Sequence, residues 1–259
     1  MSQRRDATPD RATQKALEDI LVRLREDADG VERFLDKDAD CVAEITSLAA
    51  ECADTIIDCA RHLLDQIERD EHNEYCFQVF LRALVGRGQQ GAAFELAAEA
   101  LLSERAEDKN FYVTLLVDVD YPGTPEVLIK ALGVMESFDE LGGHAQEAAI
   151  EHLMSKGAED AYPVVVKCLL DVSARVRATA LQFIRKFDKQ ESAACLVQML
   201  AEEDWEYNIL LVLELLKKWR KVEFLAELTA YSQEEFVDEN PDIKQAIEST
   251  LAALSPARD

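Results

Sequence analysis

Helical segments recur at a nearly constant interval along most of this chain. Apolar residues spaced by three and four mark amphipathic helices, and Gly, Pro and Asp punctuate their ends. The first helix of each pair begins near residues 91, 124, 160, 190 and 221, so the interval is about 30 to 36 residues. A repeat of this length predicts stacked helical hairpins, each of which buries its apolar face against the next.

The fold class predicted from these segments is all-α, a right-handed α-solenoid of hairpins with a helical N-terminal extension. The 9 Gly and 6 Pro residues are too few for the tight turns of an all-β fold. About five hairpins are predicted, and those of the C-terminal half are 124–135 with 142–157, 161–170 with 174–187, 191–201 with 205–219, and 222–230 with 242–254. The segment FYVTLLVDVD at 111–120 fits a helix or a strand, and both remain open from its pattern.

The segment LLDVSARVRATALQFIRKF carries an unusual combination of residues inside an amphipathic helix pattern. Asp171 lies where one helix ends, and its side chain can accept backbone N–H groups at the start of the next helix. Val176 and Ala180 lie four residues apart, on one face of that second helix. Arg177 follows the Val directly. The pattern therefore predicts a capped turn followed by a helix with a narrow buried seam.

This motif resembles the HEAT repeat, a family of helical hairpins that stack into solenoids. In that family the Asp brackets the turn, the Arg follows a buried Val, and the small Ala lets the second helix approach its neighbour closely. At an offset of 31 residues the apolar positions of the next hairpin align, Val176 with Tyr207, Ala180 with Leu211, Leu181 with Val212 and Ile184 with Leu215. The resemblance implies a scaffold that binds other proteins.

The N-terminal part of the chain differs from the rest, and we divide the chain into a helical extension or cap at 1–70 and HEAT-like repeats at 71–259. Residues 10–36 predict a charged amphipathic helix. Residues 41–67 predict one long helix with a coiled-coil-like seam, formed by Ile45, Ala49, Cys52, Ile56, Cys59 and Leu63. We expect it to cap the repeats, because a terminal repeat must cover its apolar face. The alternative is self-association through these N-terminal helices.

Charge and composition exclude several classes of partner. The chain has 28 basic and 52 acidic residues, a net charge of −24, which repels phosphate backbones and argues against nucleic-acid binding. No apolar run reaches the roughly 18 residues that a membrane span needs. The six cysteines form no CxxC pair, and the N-terminus MSQRRDATPD is too polar for an export signal. We therefore expect a cytoplasmic protein with free thiols.

Residues 161–220 alone escape the acidic excess, with 9 basic and 8 acidic side chains. Seven basic residues at the ends of two predicted second helices form what we call the basic cluster, Arg185, Lys186, Lys189, Lys217, Lys218, Arg220 and Lys221, with Trp219 among them. Basic residues in a last helical turn can simply compensate the helix dipole and its free carbonyls. They can also form a docking strip for an acidic or phosphorylated segment of a partner protein.

No motif in the sequence predicts catalysis, a metal or a cofactor. GRGQQG at 86–91 matches GxGxxG, but a helical pattern precedes it where a dinucleotide fold needs a strand, so we predict a turn between helices. The four His residues lack the HExxH and ExxH spacings. The His-Glu pairs of the HEAT-like deoxyhypusine hydroxylases are also missing. His144, Glu147 and Glu151 share a helical face, and a solvated charged surface is the favoured interpretation.

We therefore predict a non-catalytic adaptor that binds another protein through the solenoid surface. One alternative is an enzyme-associated HEAT protein resembling the bilin lyase subunits, which would need a small-molecule cleft. The other is an acidic decoy of a basic nucleic-acid-binding protein, carried by 41–110 and 111–160 with a net charge of −8 each. HEAT-like DNA glycosylases need a basic concave face, and the net charge argues against them.

Overall fold

The computed structural model describes residues 11–27, 34–48, 52–70, 72–137 and 143–255. All regular secondary structure in these ranges is helical, with no strand, which confirms the all-α class. Ala, Leu, Glu, Lys and Arg favour helices intrinsically. The chain divides into two compact units, Met1–Thr124 and Pro125–Asp259. Among the helices of the described ranges, none combines the length and apolar character needed to cross a membrane.

The first unit packs its helices around one central helix. Its helices are α1 (Arg11–Asp27), α2 (Phe34–Ser47), α3 (Ala53–Leu64), α4 (His72–Gly86), α5 (Gln90–Leu102) and α6 (Lys109–Val119). α1, α2, α3 and α5 all contact α4, and α5 also packs on α6. Phe77, Phe80 and Tyr112 are fully buried in this core. α4 is therefore the element on which the unit is built.

The single helix predicted over 41–67 is wrong. α2 ends at Ser47, and α3 begins at Ala53 after its N-cap Cys52, which has a φ of −92° and a ψ of 4°, outside the α-helical region. Ile45 and Ile56 are fully buried, because both helices pack on α4 instead of forming one continuous seam. Ala49 lies outside the described residues, as do 10 and 28–33 of the helix predicted over 10–36. Self-association through these helices remains a prediction.

Two ambiguous segments of the first unit are settled. GRGQQG covers the end of α4, a turn at 87–89 with Gly88 at a φ of 75°, and the start of α5, and α4, not a strand, precedes it. The segment 111–120 is helical up to Val119, as part of α6. Asp108 caps this helix by accepting the backbone N–H of Phe111 at 3.0 Å. The cap, with the burial of Tyr112, outweighs the strand propensity of the β-branched residues.

The second unit contains three of the predicted helix pairs. Its helices are α7 (Thr124–Leu132), which begins at the last residue of the first unit, α8 (His144–Lys156), α9 (Tyr162–Val165), α10 (Ala174–Phe187), α11 (Ala193–Leu200), α12 (Glu206–Lys218), α13 (Leu225–Tyr231), α14 (Glu235–Glu239) and α15 (Pro241–Leu254). A 3-10 helix, Val166–Leu170, continues α9. α10 packs on this 3-10 helix, α11 on α12, and α13 on α15, as the predicted pairing requires. The connection predicted before α15 contains the short helix α14.

After α8, α10 and α12 the chain makes the same turn. A residue with left-handed backbone is followed by a one-turn 3-10 helix, and these residues are Gly157, Asp188 and Arg220, with φ of 70°, 50° and 53°. The next residue donates its N–H to a carbonyl in the last helical turn, from Ala158 to Leu153, Lys189 to Ile184 and Lys221 to Leu216. The turn thus recurs once in each of these successive hairpins.

The residue offset between equivalent positions of α10 and α12 is one longer than the 31 residues predicted from the sequence. The connection from Asp188 to the start of α12 is one residue longer than that from Gly157 to the start of α10. Val176 therefore corresponds to Asn208, which is fully buried, whereas Tyr207 is 47% exposed. By the same shift Lys186 corresponds to Lys218 and Lys189 to Lys221. The extra residue in the hairpin turns Tyr207 outward.

Candidate functional site

The second helices α8, α10 and α12 lie side by side and run in the same direction. α8 contacts α10, and α10 contacts α12. Near the helix starts, Arg175 of α10 pairs with Glu147 of α8 at 2.9 Å. Near the helix ends, Lys186 of α10 donates to the carbonyl of Met154 in α8 at 2.6 Å. The second unit therefore has an amino end, where these helices start, and a carboxyl end, where they finish.

The carboxyl end holds the basic cluster, and several of its lysines join neighbouring hairpins. Lys186 satisfies a carbonyl in the last turn of α8. Lys189 Nζ lies 3.1 Å from Glu159 Oε2 and 5.5 Å from the ring centre of Tyr162, both in the preceding hairpin. As expected, basic residues at helix ends neutralise carbonyl and carboxylate groups, but here those groups belong to the previous hairpin.

The lysines at the end of α12 make similar contacts. Lys218 Nζ lies 2.6 Å from Asp188 Oδ1 in the preceding turn, and Lys217 Nζ donates to Ser249 Oγ in α15 at 2.7 Å. Lys221 lies 3.6 Å from Glu223, a looser pair within its own turn. Hydrogen bonds from Lys218 and Trp219 lower the pKa of Asp188. These contacts join three successive hairpins at the carboxyl end.

Trp219 does not lie among exposed basic side chains as the sequence analysis expects. Its side chain is buried, with 8% of its surface exposed, and its Nε1 donates to Asp188 Oδ1 at 2.8 Å. Asp188 has left-handed backbone, so the indole helps to hold the preceding turn. The burial follows from the packing of α12 beside α10.

Two members of the basic cluster keep exposed guanidinium groups. Arg185 in the last turn of α10 and Arg220 after α12 are exposed. Neither guanidinium group makes a hydrogen bond or an ion pair with another residue in the part of the chain that the structure describes. An arginine can bind a carboxylate or a phosphate through two parallel hydrogen bonds. Lys186, Lys217 and Lys218 are also exposed but engaged, so the two arginines are the charges of the carboxyl end that stay unpaired within the described residues.

The amino end contains a buried ion pair between neighbouring hairpins. Arg177 donates through Nε and Nη2 to the two carboxylate oxygens of Glu203, at 2.8 and 2.7 Å. Its Nη1 donates to the carbonyls of Asp171 and Val172, at 2.8 and 2.9 Å. The Glu203 side chain is fully buried, and that of Arg177 is 14% exposed. The Arg of the sequence motif thus links its own turn to the next one.

Glu203 is saturated with donors. Besides the two from Arg177, it accepts the backbone N–H of Trp205 at 3.0 Å and Asn208 Nδ2 at 2.9 Å. Asp171 accepts the N–H of Ser173 at 2.9 Å in the same position of the preceding hairpin, which confirms the predicted turn bond. Sequence reasoning missed Glu203, because the predicted repeat offset is one position too short to align it with Asp171.

We predict that this network makes stability fall on acidification. Burial raises the pKa of Glu203, but hydrogen bonds from Arg177, Trp205 and Asn208 outweigh it, so the pKa lies below the ordinary value of 4.5. A depressed pKa contributes stability above that value, which is lost as the pH falls through the folded-state pKa.

The measurement is urea unfolding of the wild type and of Glu203→Gln, each at about pH 7 and about pH 3.5. The difference in free energy of unfolding between the two proteins should shrink at the lower pH, because the unfolded-state carboxyl then takes up a proton and the advantage of the ionised folded form decreases. The other acidic residues are common to both proteins and cancel. A difference independent of pH would show that Glu203 keeps an ordinary pKa.

Two aromatic side chains that sequence reasoning did not single out are exposed at the amino end. Trp205, just before α12, is 41% exposed, and Tyr207 in its first turn is 47% exposed. Their ring centres lie 6.0 Å apart, and the Tyr207 hydroxyl accepts a hydrogen bond from Gln182. The signal that could have identified Tyr207 is the offset between the hairpins, because the longer offset seen in the structure places Tyr207 off the buried face of α12.

The cysteines and histidines form no reactive cluster among the described residues. All six cysteines are free, and burial raises the pKa of Cys76 to about 11 and of Cys168 to about 12. Both thiols therefore stay protonated at neutral pH. His144 lies 3.9 Å from Glu147, which pairs with Arg175. Within the described ranges, no group of three or more metal-ligating side chains comes together.

A cleft with a mixed polar and apolar lining lies near the end of α7. Its volume is about 310 Å³, and it is lined by residues 132, 133, 135–137, 167, 168 and 170–172. Charged groups of both signs, Glu136, Lys167 and Asp171, share this lining with Leu132 and Leu170. Pockets for small organic ligands are mostly hydrophobic with a few polar groups, and a mixed lining of this kind does not identify the small-molecule cleft that a bilin-lyase-like protein needs.

Comparisons of the chain with models of protein families, with curated proteins and with solved structures found no match.

Proposed function

We propose that the second unit is a HEAT-like solenoid that acts as a non-catalytic protein-binding scaffold. The same turn recurring after α8, α10 and α12, with the helices side by side, supports the solenoid. Such stacking creates an extended surface to which each repeat adds contact area. The enzyme-associated and decoy alternatives remain predictions of the sequence, and no further observation favours them.

The exposure of Arg185 and Arg220 carries the functional part of the proposal. They lie at the carboxyl end of the second unit, in a chain whose net charge is −24. Their guanidinium groups form no hydrogen bond with the described residues. The lysines around them hold neighbouring hairpins together, so these contacts preorganise the surface. A partner segment with carboxylates or phosphates fits it, because two guanidinium groups can bind such oxygens in pairs.

The test separates binding from folding by leaving the lysines intact. We expect Arg185→Glu/Arg220→Glu to weaken binding of the partner about tenfold or more, since charge-assisted hydrogen bonds become repulsive contacts. Proteins captured from the host lysate by the wild type would be identified by mass spectrometry. The affinity of the purified partner would then be measured for both proteins by calorimetry.

The matched control is Lys15→Glu/Arg61→Glu, which makes the same change in net charge on exposed helical residues of the first unit. An equal loss of affinity in this control would mean that only total charge matters. An unchanged affinity of Arg185→Glu/Arg220→Glu would move the binding site away from the carboxyl end. In that case the basic cluster has only its role in joining hairpins.

A further inference from the structure

A patch of exposed apolar side chains covers two successive turns at the amino end of the second unit. In one turn Leu170 and Val172 are 49% and 52% exposed, and the next carries Trp205 and Tyr207. We call these four residues the aromatic edge. Single exposed hydrophobic residues are ordinary on protein surfaces, but a group of them indicates an interaction site.

The two turns are held next to each other by the buried ion pair. Arg177 donates through Nη1 to the carbonyl of Val172 and through Nη2 to Glu203, at 2.9 and 2.7 Å. Glu203 in turn accepts the backbone N–H of Trp205 at 3.0 Å. The backbone on both sides of the aromatic edge is therefore fixed before any partner arrives, which lowers the entropic cost of binding.

The aromatic rings are oriented outward by the packing of α12. Asn208, Ile209 and Val212 of this helix are fully buried, so Tyr207 falls on the opposite, exposed face. The ring planes of Trp205 and Tyr207 are inclined by 52° with centres 6.0 Å apart. Neither ring is stacked flat on the other, so both keep a face available for contact.

The surroundings of the rings are acidic. Glu202, Asp204 and Glu206 are exposed on either side of Trp205, and residues 202–207 contain no Lys or Arg. In the part of the chain that the structure describes, none of the three carboxylates makes a hydrogen bond or an ion pair. Glu203 of this segment is bound to Arg177, and Asp204 also interacts electrostatically with that guanidinium group, without an ion pair. An aromatic pair with uncommitted carboxylates beside it is complementary to a cation.

We propose that the aromatic edge binds an arginine-bearing segment of a partner protein. A guanidinium group can lie flat on Trp205 or Tyr207 and still donate hydrogen bonds to a neighbouring carboxylate. Leu170 and Val172 would pack against an apolar residue beside that arginine. A second copy of this chain fits less well, because two molecules of charge −24 repel each other. This surface is distinct from the carboxyl end and does not depend on the proposed function there.

The probe is a fluorescein-labelled peptide of alternating arginine and glycine, titrated with the full chain and followed by anisotropy. We expect Trp205→Ala/Tyr207→Ala to weaken binding about tenfold, although the net charge does not change. The same peptide with lysine in place of arginine should bind more weakly, because lysine lacks the planar guanidinium. Tryptophan emission should change on binding, since Trp205 is exposed and the chain's other tryptophan, Trp219, is buried.

A second pair of variants tests the carboxylates without relying on the aromatic substitutions. The edge variant is Glu202→Gln/Asp204→Asn/Glu206→Gln, and we expect it to weaken binding about tenfold. Its control neutralises three exposed carboxylates of the first unit, Glu95→Gln/Glu99→Gln/Glu104→Gln. The control should retain nearly all of the affinity. Circular dichroism would verify that each protein is folded.

Three outcomes would overturn the proposal. Equal losses in the edge and control triple variants would mean diffuse attraction to an acidic chain. Unchanged affinity of Trp205→Ala/Tyr207→Ala would mean that the rings take no part. A dimer in sedimentation velocity that disappears in Trp205→Ala would make a second copy the occupant. Arg185→Glu/Arg220→Glu should bind the peptide like the wild type, so this test and the test of the carboxyl end fail independently.

Discussion

Arg177→Ala is expected to lower the free energy of unfolding of the second unit by about 3–5 kcal/mol. The substitution leaves the fully buried carboxylate of Glu203 without its cation, and it removes the donor to the carbonyls of Asp171 and Val172. An unpaired buried charge is far more costly than a lost surface pair, because its desolvation is no longer compensated. The effect concerns the joint between two hairpins, so we expect their packing to loosen together.

Urea unfolding followed by tryptophan emission is the measurement. Trp205 and Trp219 are the only tryptophans of the chain and both belong to the second unit, so the signal reports this unit even if the two unfold separately. The control is Arg175→Ala, in which the arginine is 53% exposed and pairs with Glu147. We expect it to cost at most about 1 kcal/mol. Equal costs for both substitutions would contradict the special role of the buried pair.

The helices of the second unit were largely predictable, because their signals are local. α10 begins and ends at the predicted residues, Ala174 and Phe187, where the turn after Asp171 and the left-handed Asp188 limit it. Apolar periodicity also identified the partner helices of three hairpins. Each of these features depends on residues within about one helical length.

Features that depend on the neighbouring hairpin were not predictable from the pattern. One extra residue before α12 changes the register, buries Asn208 and exposes Tyr207, and apolar spacing alone does not detect a single inserted residue. The position of the basic cluster at helix ends was predicted, but not which lysines are engaged. Their partners, such as Met154 for Lys186 and Asp188 for Lys218, lie in the preceding hairpin and are distant in sequence.

The same reasoning explains the failure at 41–67. A regular spacing of four and three describes one continuous seam only if one partner runs along its whole length. Here α2 and α3 both pack on α4, so the apolar residues of each helix are buried by the same neighbour. A linear pattern does not show whether its two halves face one helix side by side or one after the other.

Gly143→Ala is expected to cost about 2–5 kcal/mol, the second large effect, as the sum of a backbone cost and a packing cost. Gly143 precedes α8 and has a φ of 94°, a left-handed conformation that costs an L-residue about 1–2 kcal/mol. An added Cβ would overlap Cγ2 of Val176 and lie 2.8 Å from Oγ of Ser137. Relieving such overlap in a packed core costs a further ~1–3 kcal/mol.

Gly157→Ala provides the matched comparison, because Gly157 also has left-handed backbone, at a φ of 70°, but has no heavy atom within 4 Å of an added Cβ. It should carry only the conformational cost, so urea unfolding followed by tryptophan emission should give a difference between the variants of about 1–3 kcal/mol. If both variants lose the same stability, α8 does not approach α10 as closely as the structure shows. A larger loss for Gly143→Ala would place the start of α8 against Val176, a fully buried residue of α10. That contact holds α8 and α10 together at the amino end of the second unit.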